Sequence, residues 1–263
     1  EDPRAARFRR EAQTAARLRH PRIVQVHEVG EEAGLAWIAM DFVEGSTLRE
    51  VLDRGGANRH ALVSILRGVA DGLAYAHAQG VVHRDVKPEN ILVDAEGRAV
   101  LADFGLAKER FGSTRVTASG VVVGTPSYMS PEQAEGTEGE VGPTVDVWSL
   151  GAVLYEALTG RPPFPGERAI EVLFRIVSGE VEPPSRIDAA IPPDLEAICL
   201  KCLEKAPAHR YPDAGGLVRD LDRHLAGQAV EADRAAILAR IADRKRKKRS
   251  DTAARAVLVA IIA

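Results

Sequence analysis

The feature that most constrains this chain is the string His83-Arg84-Asp85-Val86-Lys87-Pro88-Glu89-Asn90, with Asp103-Phe104-Gly105 beginning thirteen residues beyond Asn90. Short apolar runs at 91–93 and 100–101 lie between the two motifs and read as strands. A loop carrying a carboxylate, a lysine and a carboxamide is thus followed, two short strands later, by a second carboxylate. A lone Asp-Phe-Gly is usually only a turn, and His-Arg-Asp alone is as weak a signal. The whole string at this separation from Asp-Phe-Gly is very improbable by accident.

The rest of the chain supplies a body large enough to hold such a site. Its 263 residues, 45% apolar and 28% charged, fit one large domain with a real core plus a tail. Residues 4–18, rich in Ala and Arg, read as a helix that His20-Pro21 ends. Residues 23–29 and 35–42 read as antiparallel strands split by Gly30 and Gly34. After Gly45 the period becomes helical: Leu62, Ile65, Leu66, Val69, Leu73 and His77 share one face, and Gly80 suits a C-terminal cap. A loop rich in Gly, Ser and Thr covers roughly 105–131, and helices are expected at 145–158, 170–177, 195–203 and 214–225. The pattern is a small strand-containing lobe and a larger helical one.

From these residues the chain resembles the eukaryotic-like (Hanks-type) bacterial serine/threonine protein kinases of receptor type, over residues 1 to about 225. The implied fold is α+β and bilobal, with a small β lobe that starts at the family's helix C and a mainly helical large lobe. The resemblance implies transfer of the ATP γ-phosphate to protein Ser/Thr hydroxyls, with ATP and Mg²⁺ (or Mn²⁺) as cofactors. Asp85 would orient the attacking hydroxyl, Asn90 and Asp103 would hold metal, and Lys87 would meet phosphate charge. Met40 resembles the gatekeeper, Asp41-Phe42-Val43 the hinge that meets the adenine edge, and Leu92 the floor under the purine. Glu11 resembles the helix-C glutamate, with Leu18-Arg19-His20-Pro21-Arg22-Ile23-Val24 as the exit from that helix.

Further structural roles follow from the same resemblance. Gly124-Thr125-Pro126-Ser127-Tyr128-Met129-Ser130-Pro131-Glu132 resembles the segment that closes the activation loop, with Ser130 where Ala is more usual. Glu132 would pair with Arg210, and Asp146 would brace the catalytic loop, while His83, Arg84, Phe104 and Gly105 belong to the two central motifs. Thr125 together with Lys87 points to Ser/Thr rather than Tyr substrates. Arg84 next to Asp85 goes with activation by loop phosphorylation, since a phosphate adds about −1.5 to −2 charge that an arginine can meet. Thr117 and Ser119 are the expected acceptors, ahead of Thr114. The family's Gly-rich loop and Val-Ala-x-Lys strand are not found before Glu11, so both ends read as cuts in a longer chain. This piece alone is expected to bind ATP poorly and to transfer little phosphate. A membrane-tethered pseudokinase scaffold is the rival reading, and a small-molecule kinase is disfavoured by the loop running from Asp103 to Glu132.

Charge is unevenly placed. Residues 240–263 carry eight basic residues against two acidic, a net +6, so the remaining chain holds −9 of the overall −3. Six consecutive basic residues, Arg244-Lys245-Arg246-Lys247-Lys248-Arg249, precede the apolar stretch 256–263. That order fits a juxtamembrane segment leading into a membrane helix, with the kinase on the cytoplasmic side. Eight apolar residues are too few to span a bilayer, which needs about 20, but the run is cut rather than ended. The expected division is 1–45 for the remainder of the small lobe, 46–227 for the large lobe, 228–252 for the basic segment and 253–263 for the start of a single-pass helix in a bacterial inner membrane. The implied partners are ATP, protein substrates presenting Ser or Thr, the membrane through the C-terminal helix, and a second copy of the chain as a homodimer; nucleic acid is not expected. Cys199 and Cys202 are the two cysteines. With no second pair to complete a metal site, they read as core residues of a helix.

Overall fold

The computed structural model describes residues 16–32, 35–104, 126–136 and 142–262 of the chain. Strands β1 (Val26–Glu32) and β2 (Leu35–Met40) pair antiparallel, with Val26 opposite Met40 and Gly30 opposite Trp37. Gly30 is needed there, because a Cβ would run into the Trp37 indole. The expected first strand covered 23–29, but Ile23 and Val24 belong elsewhere. Val24 N–H bonds Leu101 O (2.9 Å), Leu101 N–H bonds Arg22 O (2.8 Å), and both side chains are buried. An apolar run states that a segment is buried, not which sheet takes it. The expected helix over 4–18 lies almost wholly outside the described residues.

A second sheet runs in the order β3 (Gly45–Thr47), β4 (Ile91–Asp94), β5 (Ala99–Leu101), all antiparallel, with Leu92 between Thr47 and Val100. β3 has no apolar alternation in its Gly-Ser-Thr and was not foreseen. Thr47 ends this strand and caps helix α1 (Leu48–Arg54): its hydroxyl accepts Glu50 N–H while the Glu50 carboxylate accepts Thr47 N–H. Helix α2 (Arg59–Ala78) is capped by Asn58, and its Leu62, Ile65, Leu66, Val69 and Leu73 are buried. Gly80 follows it at φ 73°, a left-handed value open to glycine without strain.

Helix α4 (Thr144–Thr159) follows the short α3 (Pro131–Glu135) and is the centre of the large lobe: thirteen of its sixteen residues are buried. A helix buried on every side must be wrapped by its neighbours. They include α2, α6 (Pro193–Cys202) and α7 (Ala214–Leu225), while α5 (Ala169–Ser178) packs near α3. Trp148, Leu150 and Tyr155 of α4 are almost fully buried, each contributing roughly 1.5–3 kcal/mol of hydrophobic stabilisation. Gly151 lets α6 approach closely, since a Cβ there would collide with Cys202. Cys199 and Cys202 are both free and fully buried at this contact; burial pushes the Cys202 thiol up to about 12.

Packing on the large lobe continues past residue 227. Asp220 accepts the N–H groups of Glu231 (2.7 Å) and Ala232 (3.0 Å), tying the linker to α7. Helix α8 (Arg234–Ile262) then buries Ile237 and Ile241. Arg234 reaches Glu196 (2.6 Å), Arg240 reaches Glu204 (2.7 Å), and Arg244 reaches Glu204 (2.7 Å) and Glu180 (3.0 Å). The basic residues of this segment therefore divide by helix face, and Lys245, Arg246 and Lys247 stay exposed. Among the described residues, no helix is long and apolar enough to cross a membrane.

Candidate active site

Helix α2 ends just before the His83–Asn90 loop, and α4 fixes that loop from below. The Asp146 carboxylate, fully buried, accepts His83 N–H on Oδ2 (2.8 Å) and Arg84 N–H on Oδ1 (2.7 Å). His77 bonds the same Oδ2 (2.8 Å), and its Nδ1 accepts Ala214 N–H (3.2 Å), so its Nε2 carries the proton. His83 is held the same way: Nδ1 accepts Asp85 N–H (3.2 Å) and Nε2–H donates to Ala102 O (2.8 Å). Phe104 packs on the His83 ring at 4.6 Å. The two motifs that stand apart in sequence thus meet through His83.

Asp85, Lys87 and Asn90 are in direct contact. Lys87 Nζ lies 2.7 Å from Asp85 Oδ2, and Asn90 Nδ2 donates to Asp85 O (2.8 Å) and Oδ2 (3.1 Å). The amide nitrogen of Asn90 is thereby committed to Asp85, which leaves its oxygen as the free coordinating atom. Ala102 N–H bonds Asn90 O (2.9 Å), so β5 delivers Asp103 beside this cluster. Asp103 is exposed and adopts φ 62°, a backbone region a non-glycine residue seldom occupies and often found at functional sites. An amide oxygen and a carboxylate form a hard oxygen donor set. Magnesium is usually bound by one or two such side chains plus substrate phosphates, so these residues fit the metal–nucleotide pair that the sequence implies.

On the strand side, Met40 ends β2 with 41% exposure, Asp41 is exposed and Val43 half-buried. Asp41 Oδ1 contacts His27 Nε2 at 2.6 Å, and Asp41 N–H bonds Gln25 O, so β1 fixes the segment that follows β2. Leu92 is half-buried in the middle strand of the second sheet. Glu11, Gly105, Thr114, Thr117, Ser119 and Thr125 lie outside the described residues.

Two buried polar networks support the far side of the site. Arg210 forks onto Glu132 (2.6 and 2.9 Å) and gives its remaining N–H groups to the carbonyls of Glu204, Lys205 and Thr144. Ser130, at the position where the family more often has Ala, caps α3 by accepting Gln133 N–H. The second network escaped the sequence reading. Arg49 of α1 bonds Glu156 of α4 (2.9 Å) and the Tyr128 hydroxyl, which itself donates to Glu156 (2.5 Å). Burial and Glu156 push the Tyr128 phenol well above its usual range, so it stays a donor. The available signal was Glu156 inside the apolar run 150–158 of α4, because a buried carboxylate must find partners. His77 carried the same signal on the apolar face of α2.

A family model described as the protein kinase domain matches residues 1–218, and the chain belongs to that family. It is similar to serine/threonine-protein kinase PknB of Mycobacterium leprae, 43% identical over 231 residues, which is 86% of this chain and 37% of that protein. It is 42% identical over 236 residues to a probable serine/threonine-protein kinase of Streptomyces coelicolor, covering 86% of this chain and 34% of the relative. With serine/threonine-protein kinase PknL of Mycobacterium tuberculosis it shares 41% over 217 residues, 82% of this chain and 54% of that protein. The chain therefore spans from about a third to about half the length of these relatives. The bilobal α+β fold and the bacterial serine/threonine kinase likeness expected from the motifs agree with these matches.

Proposed function

We propose that the protein is a serine/threonine protein kinase that transfers the γ-phosphate of ATP to Ser or Thr hydroxyls of protein substrates. The observation that carries this reading is the Asp85–Lys87–Asn90 cluster, hydrogen-bonded within itself and seated on the Asp146 carboxylate. Phosphoryl transfer asks the protein mainly for positioning and charge. Asp85 orients the substrate hydroxyl and takes its proton. Lys87, beside Asp85, meets charge on the phosphoryl oxygens. Asn90 and Asp103 would hold Mg²⁺ or Mn²⁺, which would offset the charge of the phosphates. Met40, Asp41, Val43 and Leu92 receive the adenine, Glu11 belongs to the nucleotide-binding side, and Thr125 to the substrate hydroxyl side.

Loop phosphorylation at Thr117 and Ser119 is part of the same proposal. It is supported by Arg84, whose Nε is buried without a hydrogen-bond partner among the described residues, an arrangement a phosphate oxygen would relieve. The basic run and the apolar stretch that follows support a membrane-attached kinase facing the cytoplasm. Asp85→Asn in the full-length protein tests the central assignment. Turnover should fall by roughly 10²- to 10⁴-fold with an unchanged melting temperature, and near-normal turnover would refute it. Phosphopeptide mapping of active protein with Thr117 and Ser119 both unmodified would remove the loop proposal.

A further inference from the structure

Arg84 adopts φ 70°. A non-glycine residue holds that conformation only where its surroundings over-determine it, and here the two peptide planes flanking Arg84 are both pinned. The His83–Arg84 plane is held through Arg84 N–H on Asp146 Oδ1 (2.7 Å). The Arg84–Asp85 plane is held at both ends: Asp85 N–H donates to His83 Nδ1 (3.2 Å), and Arg84 O accepts from Gln133 Nε2 (2.9 Å). Of these three holders, His83 belongs to the loop itself and Asp146 to the buried helix α4, while Gln133 alone comes from α3.

Gln133 uses its two amide atoms for different tasks. Its Oε1 accepts Ser130 N–H (3.0 Å) and, with Ser130 Oγ accepting Gln133 N–H, completes the reciprocal cap of α3. Its Nε2 leaves α3 and reaches across to the catalytic loop. The oxygen is therefore local and the nitrogen long-range, over 49 residues of sequence. We propose that Gln133 is a positioning residue for Asp85: its side-chain N–H fixes the Arg84–Asp85 peptide plane, and so ties the reach of the Asp85 carboxylate to the seating of α3. This inference rests on the kinase reading given above. The amide is suited to the task because one end must accept and the other donate. A carboxylate satisfies the cap but opposes the Arg84 carbonyl, and an apolar side chain does neither.

Gln133→Glu separates the two tasks. The cap remains, so the full-length variant should melt as the parent does. Peptides covering residues 83–86 should exchange backbone hydrogen faster, and kcat should fall by roughly 10- to 100-fold with KM for ATP within about twofold. Gln133→Ala should reproduce the kcat loss and lower the melting temperature as well. If Gln133→Glu exchanges at 83–86 like the parent and keeps its kcat, the glutamine is only a helix cap and the proposal is overturned. If the parent itself transfers no phosphate, the kinase reading fails. The exchange comparison then still decides whether Gln133 holds the loop, faster exchange supporting it and unchanged exchange overturning it.

Discussion

Arg210 meets Glu132 in a two-point fork whose arms are 2.6 and 2.9 Å, with the arginine side chain fully out of solvent. Three main-chain carbonyls take its other donors, so all five N–H groups are matched. Breaking such a pair from one side takes from the buried Glu132 carboxylate its two-point arginine partner. Arg210→Met should cost about 3–5 kcal/mol of stability, read as a lower denaturant midpoint. Arg210→Lys should recover little of it, because an ammonium has neither the fork nor five donors. A midpoint within error of the parent for Arg210→Met would show the fork to be energetically idle.

Asp146 offers two carboxylate oxygens to two backbone donors of the catalytic loop and to His77. Asp146→Asn keeps the shape but turns one oxygen into a donor. Whichever way the amide sits, at least one N–H of the loop then faces another N–H. The variant should lose about 1–3 kcal/mol and show faster hydrogen exchange at His83 or Arg84. Unchanged exchange at both would mean that the loop is held without this carboxylate.

The Glu132–Arg210 pair and the Asp146 brace were legible only through the family resemblance; from the residues themselves, the legible parts of the site are those packed into one continuous stretch. Asp85, Lys87 and Asn90 lie within six residues of each other, and the turn that joins them follows from that short spacing. Asp103 was legible because two short strands separate it from Asn90, and a hairpin returns its end to its start. The Arg49–Tyr128–Glu156 network was not legible, since its members are 79 and 107 residues from Arg49 and no local period links them. β3 was missed because Gly45-Ser46-Thr47 carries no apolar signal and owes its strand form to β4. The docked start of α8 was obscured by composition: a basic run before an apolar stretch reads as juxtamembrane, while Glu180, Glu196 and Glu204, which meet Arg234, Arg240 and Arg244, lie far back in the chain.

That docking gives a length-dependent prediction. Glu196 and Glu204 are fully buried side chains whose arginine partners, Arg234, Arg240 and Arg244, all come from α8, while Ser185 N–H also meets Glu196. A chain ended at residue 227 also loses the burial of Ile237 and Ile241, roughly 1.5–3 kcal/mol each. It should be less stable by several kcal/mol than one ended at residue 248, as compared by urea unfolding. Burial pushes the Glu196 carboxyl up, but Ser185 and Arg234 outweigh it and hold it below its usual 4.5. The stability this group contributes is present above that value and lost as pH falls through the lowered one. The gap between the two chains should therefore narrow in acid. Equal stability of the two chains at neutral pH would count against the docking.

Lys205 sits between lobe and tail in a different balance. Its Nζ bonds the Ile176 carbonyl and lies 4.2 Å from the Phe164 ring and 5.2 Å from the Trp148 ring. Burial pushes its ammonium down to about 7, with Glu180 opposing and Lys248, Arg244 and Arg210 adding to the fall. An unfolded lysine keeps its proton up to about 10.4. Between these values the unfolded chain binds the extra proton, so the folded state gains stability as pH rises from 7 towards 10. Below 7 both states are charged and the full burial penalty remains. Lys205→Met removes the titration while keeping the length, so its gain over the parent should be larger at pH 6.5 than at pH 9.5. Paired unfolding curves at the two pH values measure that difference. An equal gain at both would mean that the ammonium stays charged throughout, stabilised by the aromatic faces and Glu180 against its burial.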